Sequence, residues 1–279
     1  MTDPDGRDSP AASGGTGQAI TGRMSELYDV FVDWNGRLKR EMPGIGMRLD
    51  RVGARKVLDV GCGTGRHVKA LGESGYDAHG ADTSADMLAQ ARDYLGGAER
   101  LHGWRLGDQP PATLSELAPF DAITCLGNVW PQLLGEDDAR QAALGIASLL
   151  RPGGLLLIGM KALAVREERG DPYMPLLRRV HAGHPIWFVR FADFAVDPLP
   201  DGSRVCDFHM VVVAGSSAED IDPNAQLHRA SRMRVWDPSE LEAWLGSHGF
   251  AEVSVSGKMD DRDATPLGED IFVDARTPQ

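Results

Sequence analysis

Five residues of this chain have the types and spacing to grip a nucleotide-like ligand. Four lie in the run Val57-Leu58-Asp59-Val60-Gly61-Cys62-Gly63-Thr64-Gly65, as Asp59, Gly61, Gly63 and Gly65. The fifth, Asp82, comes seventeen positions after Gly65. An apolar run passing into alternate glycines and then an apolar-periodic segment (Val68, Leu71) predicts a buried strand, a tight turn and a helix start. In that layout the backbone can approach a ligand closely. The spacing is Gly-x-Gly-x-Gly, not the Gly-x-Gly-x-x-Gly that seats a pyrophosphate on a helix N-terminus. Asp59, two residues before Gly61, would repel a phosphate but suits a ligand with a cationic amino group. A glycine turn also serves as a plain strand–helix connection, so the assignment leans on the residues downstream.

Asp82 ends the segment Asp77–Asp82, where a carboxylate at a strand tip can accept both hydroxyls of a ribose. Its plainer alternative is a helix cap beside Thr83-Ser84, which open a predicted helix over Ala85–Leu95. Gly107-Asp108 follows a third short apolar strand, and that dipeptide is also an ordinary turn. A fourth strand, Phe120–Leu126, ends in Gly127-Asn128. The carboxyl end of such a strand is where α/β sheets hold ligands. Asn128 either aims its amide at one or simply makes the turn.

The glycine loop with its preceding aspartate resembles motif I of the class I S-adenosylmethionine-dependent methyltransferases. Leu126-Gly127-Asn128-Val129-Trp130-Pro131-Gln132-Leu133 narrows the resemblance to the glycine/sarcosine N-methyltransferase-like group, which carries Leu-Gly-Asn-Ser-Phe-x-His-Leu there. Val129, Trp130 and Gln132 replace its Ser, Phe and His. The segment Tyr28-Asp29-x-Phe31-x-x-Trp34-x-Gly36-Arg37-Leu38-x-Arg40-Glu41 is similar to that group's N-terminal segment. The resemblance implies S-adenosylmethionine as cofactor, its ribose on Asp82, its adenine beside Met87-Leu88 with Asp108 at the amino group, and Leu126 lining the site. It implies that Tyr28, Arg37 and Trp34 close over the cofactor, Arg37 pairing with its carboxylate, and that Asn128 and Tyr28 stand near the reacting methyl. After the fifth strand, Gly159-Met160-Lys161-Ala162-Leu163 departs from the group's Asp-His-Arg-Asn-Tyr, which makes glycine itself a doubtful acceptor.

The elements that must position these residues follow from pattern. Leu27, Tyr28, Phe31, Trp34 and Leu38 recur at helical steps over Met24–Glu41, a stripe that serves either core packing or a lid. Leu149-Leu150-Arg151-Pro152-Gly153-Gly154 followed by Leu155–Ile158 gives a helix end, a turn and a fifth strand. The core's next helix and hairpin come only at Asp237–Leu245, Glu252–Ser256 and Asp270–Ala275. Between them Ile186–Val196, Val205–Ala214 and Gln226–Trp236 read as three antiparallel strands, with a turn at Asp201-Gly202. Such a cap would set acceptor choice or form a dimer surface, and the two readings stand equal here.

The expected fold is therefore α/β: a doubly wound, mostly parallel seven-stranded Rossmann-like sheet with an inserted antiparallel β cap. Residues 1–22 read as a disordered tail, 23–160 with 237–279 as the core carrying a helical lid, and 161–236 as the inserted cap. With 279 residues and a formal net charge of −12, the chain is poorly suited to a nucleic-acid backbone. Arg178-Arg179 reads as a solvated helix face. The longest apolar run, Gly154–Met160, is far short of a membrane span. Cys62, Cys125 and Cys206 have no zinc spacing, which makes a reduced, metal-free, cytoplasmic protein the expectation. Of the histidines in the cap region (181, 184, 209, 228), one could act as a base, although each is more often a surface or core residue. The expected activity is methyl transfer to a small molecule, most simply at an amine nitrogen. An O-methyltransferase and a non-catalytic S-adenosylmethionine-binding protein are the alternatives. A nicotinamide dehydrogenase is disfavoured by Asp59 and the glycine spacing.

Overall fold

A computed structural model describes residues 24–181, 183–215, 221–259 and 268–279. The tail expected over 1–22 lies outside them. Helices α1 (Met24–Phe31) and α2 (Trp34–Arg51) lead into β1 (Lys56–Val60), α3 (Arg66–Glu73), β2 (Asp77–Asp82), α4 (Ala85–Leu95) and β3 (Leu101–Gly103). A short α5 (Ala112–Ser115), β4 (Phe120–Leu126), α6 (Glu136–Leu149), β5 (Leu150–Lys161) and α7 (Leu163–Arg169) follow. Then come β6 (Leu177–His181), β7 (His184–Asp193), β8 (Val205–Gly215) and β9 (Ile221–Arg234), before α8 (Pro238–Ser247), β10 (Ala251–Ser256) and β11 (Asp270–Arg276).

Seven strands form one sheet in the order β10-β11-β5-β4-β1-β2-β3, and β6-β7-β8-β9 form a second, antiparallel sheet. In the large sheet β3, β2, β1, β4 and β5 run parallel, and β11 runs antiparallel to β5. The two-residue period of the strands assigns its two faces. Leu58, Val60, Ile123 and Cys125 pack with Ile146, Leu149, Leu241 and Leu245 on one side. Val57, Ala122, Leu155 and Leu157 pack with Ile45, Leu49, Val68 and Leu71 on the other. Each such aliphatic side chain, fully buried, contributes roughly 1.5–3 kcal/mol, and a parallel sheet needs both faces covered. No helix of the described residues is long and apolar enough to cross a membrane.

Three expectations need correction. The helix anticipated over Met24–Glu41 is two helices, because Asp33 accepts the Gly36 N–H through its side chain at 3.1 Å and starts a new one. The cap has four strands, not three. Arg178-Arg179 lies on the extra strand β6, paired with Trp187 and Ile186 of β7, and is no helix face. Alternation in Leu177–His181 is hidden by its arginines, whose long stems cover apolar surface while their heads stay wet.

His79 on β2 and His102 on β3 meet with Nδ1 and Nε2 3.3 Å apart, and burial pushes both imidazoles below their usual pKa. The unfolded chain therefore takes up protons first as pH drops below about 6.5. Stability is fully present above that value and is lost on acidification. Melting curves from pH 8 to pH 5 should show a smaller drop for His102→Gln than for the unaltered chain. An identical drop would place the acid sensitivity elsewhere.

Candidate functional site

The glycine loop between β1 and α3 folds under steric rules that only glycine meets. Gly61 has φ +71°, and a Cβ built on it would fall 2.2 Å from Val129 Cγ2, so the loop after β4 sits directly on β1's end. Gly63 has φ +54°, and a Cβ there would lie 3.8 Å from the ring of Tyr28. Helix α1 and the β4 loop thus approach the same three-glycine turn from two sides.

Asp82, at the tip of β2, accepts the Gly63 N–H at 2.9 Å and the Ser84 N–H at 2.8 Å. One carboxylate holds both the glycine loop and the start of α4. The cap of α4 itself is Ser84, whose Oγ accepts the Met87 N–H at 3.3 Å. Asp82 is therefore not the helix's own N-cap, and its remaining lone pairs are available to a ligand. Asp59 is buried and accepts the Thr124 hydroxyl at 2.6 Å. Burial raises its pKa, with His67, Thr124 and Arg37 offsetting part of that rise. A cationic amino group beside it would favour the ionised form.

The N-terminal helices are tied to this loop by a residue that sequence reasoning left unassigned. Asp29 Oδ1 accepts from Thr64 Oγ1 and from Trp34 Nε1, each at 2.7 Å, and its Oδ2 pairs with Arg66 at 2.5 Å. Asp29 follows Tyr28 directly, and Thr64 stands inside the glycine motif, so the juxtaposition of two such motifs was the available signal. Removing Asp29 should loosen α1 without touching the sheet. Asp29→Ala is expected to weaken adenosylhomocysteine binding roughly tenfold or more, as for loss of hydrogen bonds to a charged group. Hydrogen exchange should show faster amides in α1 and unchanged ones in β1 and β4; unchanged affinity would leave Asp29 a surface residue.

Behind Tyr28, Arg37 places Nε on both oxygens of Glu41, at 3.0 and 3.1 Å, and lies over the Trp34 ring at 5.1 Å. Glu41 in turn holds His67 Nε2 at 2.8 Å. Burial would lower the Arg37 pKa, but Glu41 and Tyr28 raise it further, so the fork stays charged. Its two η nitrogens lie 3.3 and 3.5 Å from the point where a Cβ on Gly127 would stand, so that edge of the guanidinium faces the β4 loop. Burial raises the Tyr28 phenol's pKa, against the pull of Arg37, which keeps it protonated at neutral pH.

Asn128 has φ +68°, uncommon for a residue other than glycine. Its Oδ1 accepts the Lys161 N–H at 2.7 Å, joining the ends of β4 and β5, which leaves the amide NH2 as a donor. Gln132, where the resembled group has His, donates to the Asn128 carbonyl at 3.0 Å. Trp130 is fully buried and packs edge-on against Trp244 at 6.1 Å, so it does not obstruct the loop. Lys161 pairs with Asp270 at 2.7 Å. Leu126 lies buried at the end of β4, in the cluster with Val57 and Ala122. Asp108 pairs with Arg105 at 3.0 Å on the surface and no hydrogen bond among the described residues joins it to the cluster. Met87 is half-buried in the first turn of α4. All three cysteines are free and buried, and burial raises each thiol's pKa, that of Cys206 to about 12. No group of three or more metal-binding side chains occurs among the described residues.

Fold and side-chain geometry together define a doubly wound α/β protein with a candidate ligand site across the ends of β1, β2 and β4. Comparison with known proteins sharpens this. Residues 58–156 match the family described as methyltransferase domain. A glycine/sarcosine N-methyltransferase of Parasynechococcus marenigrum is 32% identical over 158 residues, covering 54% of this chain and 56% of that protein. A dTDP-3-amino-3,6-dideoxy-alpha-D-glucopyranose N,N-dimethyltransferase of Streptomyces fradiae is 30% identical over 151 residues, covering 53% and 57%. The chain spans about half the length of the curated relatives it matches. Its fold is that of an S-adenosylmethionine-dependent methyltransferase from Clostridium acetobutylicum, with a TM-score of 0.70 at 15% identity over 92% of this chain and 98% of that one. The match over residues 58–156 and the shared fold mark this part of the chain as a methyltransferase-like domain of the doubly wound type.

Proposed function

We propose that this protein moves a methyl group from S-adenosylmethionine to an amine nitrogen of a small-molecule acceptor. The observation that carries the reading is the closure of one glycine turn between Asp82 and the Asp29-anchored α1, with Tyr28 over Gly63 and the η nitrogens of Arg37 toward Gly127. Glycine at 61 lets Val129 close onto the turn, and glycine at 63 keeps the backbone there bare beneath Tyr28. The residues fit the cofactor group by group. Asp82 would accept the ribose hydroxyls, Arg37 the carboxylate and Asp59 the amino group. Gly61, Gly63 and Gly65 would allow the backbone close, Met87 and Leu126 would flank the adenine, Asp108 would serve its amino group and Trp34 would back Arg37.

When bound, the cofactor supplies a methyl already activated on a sulfonium. The protein then has to orient the acceptor nitrogen in line and exclude water. Tyr28 and Asn128, on opposite sides of the turn, are the groups placed to do so. An amine needs only to arrive as the free base, so transfer to nitrogen makes no demand for a strong general base. The relatives that match include an enzyme named for an amino acid and one named for an amino sugar, both acting on nitrogen. We take the setting to be cytoplasmic, consistent with three buried free thiols.

Adenosylhomocysteine should raise the melting temperature by mass action while NAD does not. Incubation with S-adenosylmethionine and a panel of small amines should then release adenosylhomocysteine. Micromolar NAD binding with no response to adenosylhomocysteine would overturn the reading.

A further inference from the structure

The cap presents to α1 a positive charge, that of Arg190, which no carboxylate among the described residues pairs. Arg190 lies on β7, on the same face as Ile186 and Phe188, since strand neighbours two apart share a face. That face packs on α1: Leu27 joins Ile186, Phe188 and Val212 in one cluster, and Phe31 meets Phe188 at 5.3 Å between ring centroids. The Arg190 guanidinium lies 5.0 Å from the centre of the Phe31 ring. One nitrogen donates to the Pro175 carbonyl at 3.2 Å, whereas its buried Nε has no hydrogen-bond partner. Burial lowers its pKa, and only Glu269 counters, while Arg166 and Arg179 add like charge. Glu269 is itself taken up by Arg166, at 3.1 Å. Among the described residues no carboxylate comes within ion-pairing distance of Arg190.

A half-buried guanidinium with an unused donor, between a lid and a cap of a protein carrying −12 net charge, is costly unless something anionic joins it. Phe31 links it to the methyl-transfer centre, because the Phe31 ring lies 6.5 Å from that of Tyr28, which covers Gly63. We infer that Arg190 is the acceptor's anion-binding residue, so that the amine substrate carries a carboxylate or phosphoryl group whose oxygen pair meets this fork. The inference rests on the methyl-transfer reading above and adds the charge of the acceptor to it. A planar fork matches either oxyanion bidentately, which an ammonium cannot do.

The test starts from protein saturated with adenosylhomocysteine, so that a failure of the methyltransferase reading is seen first as a failure of that saturation. Acetate and methylphosphonate are then titrated by calorimetry into the complex, separating the carboxylate from the phosphoryl source. One of the two should bind the unaltered protein, and Arg190→Met, which keeps the stem, should abolish that binding. Arg190→Lys should recover only part of it, and both variants should take up adenosylhomocysteine normally. In turnover, amino acids or aminoalkyl phosphates should be methylated in preference to their amides or alcohols. Arg190→Met should raise KM for the anionic member roughly 30- to 100-fold with kcat little changed, the effect of losing a hydrogen-bonded charge. Neither anion binding the saturated protein would overturn the inference, as would equal binding by Arg190→Met or a neutral amine preferred over its anionic counterpart.

Discussion

Asp82→Ala is expected to weaken adenosylhomocysteine binding by roughly 2–3 kcal/mol, about 30- to 150-fold, with the fold retained. The side chain would carry two loads: it accepts the Gly63 and Ser84 N–H groups at 2.9 and 2.8 Å, and in the proposed site its other lone pairs would accept from the ribose. Alanine removes the ligand contacts and also releases the glycine loop. Asparagine retains one acceptor oxygen and should fall between the two. The measurement is calorimetric titration alongside circular dichroism. An unchanged dissociation constant would reduce Asp82 to a loop tie.

The second large effect concerns stability. Arg48 on α2 is 1% exposed; its Nε donates to Asp274 of β11 at 2.7 Å, and another nitrogen donates to the Met259 carbonyl. Removing one member of a buried pair strands the other's charge, which costs about 3–5 kcal/mol. For a protein whose whole stability is on the order of 5–15 kcal/mol, Arg48→Ala should move the urea midpoint far down or prevent folding. The double variant Arg48→Met with Asp274→Leu replaces the pair with apolar bulk and should recover much of the loss. If Arg48→Ala alone unfolds like the parent protein, the pair carries no net weight.

These two effects differ in how visible they were beforehand. Asp82 stood at a strand tip at a fixed distance from three glycines, and local spacing is enough to find such a residue. Ala85–Leu95 and Phe120–Leu126 form the helix and strand their patterns predict, since Ser84 caps the one and unbroken apolar character buries the other. Arg48 and Asp274 are 226 positions apart, and nothing local marks an arginine in a helix as buried. Asp29 could be seen beside Tyr28, but its bond to Thr64 needs the lid's docking angle, which is set by Leu27 and Phe31 against a cap sheet far along the chain. The strand β6 escaped because Arg178 and Arg179 look solvated in either a helix or a strand. Arg190 escaped for the opposite reason: in sequence it is one arginine among many, and only the absence of a carboxylate around it distinguishes it.

Helix α1 uses two adjoining faces for two jobs, with Leu27 only 1% exposed in the cap's apolar cluster and Tyr28 over the glycine turn. Swinging it away to admit a ligand therefore also exposes Ile186, Phe188 and Val212 to water. The consequence is one of timing. In the proposed methyl transfer, a donor covered by Tyr28 would have to enter before α1 settles on the cap and would leave last. Movement of α1, and not bond making, would then pace turnover. Adenosylhomocysteine should inhibit competitively against the donor and noncompetitively against the acceptor.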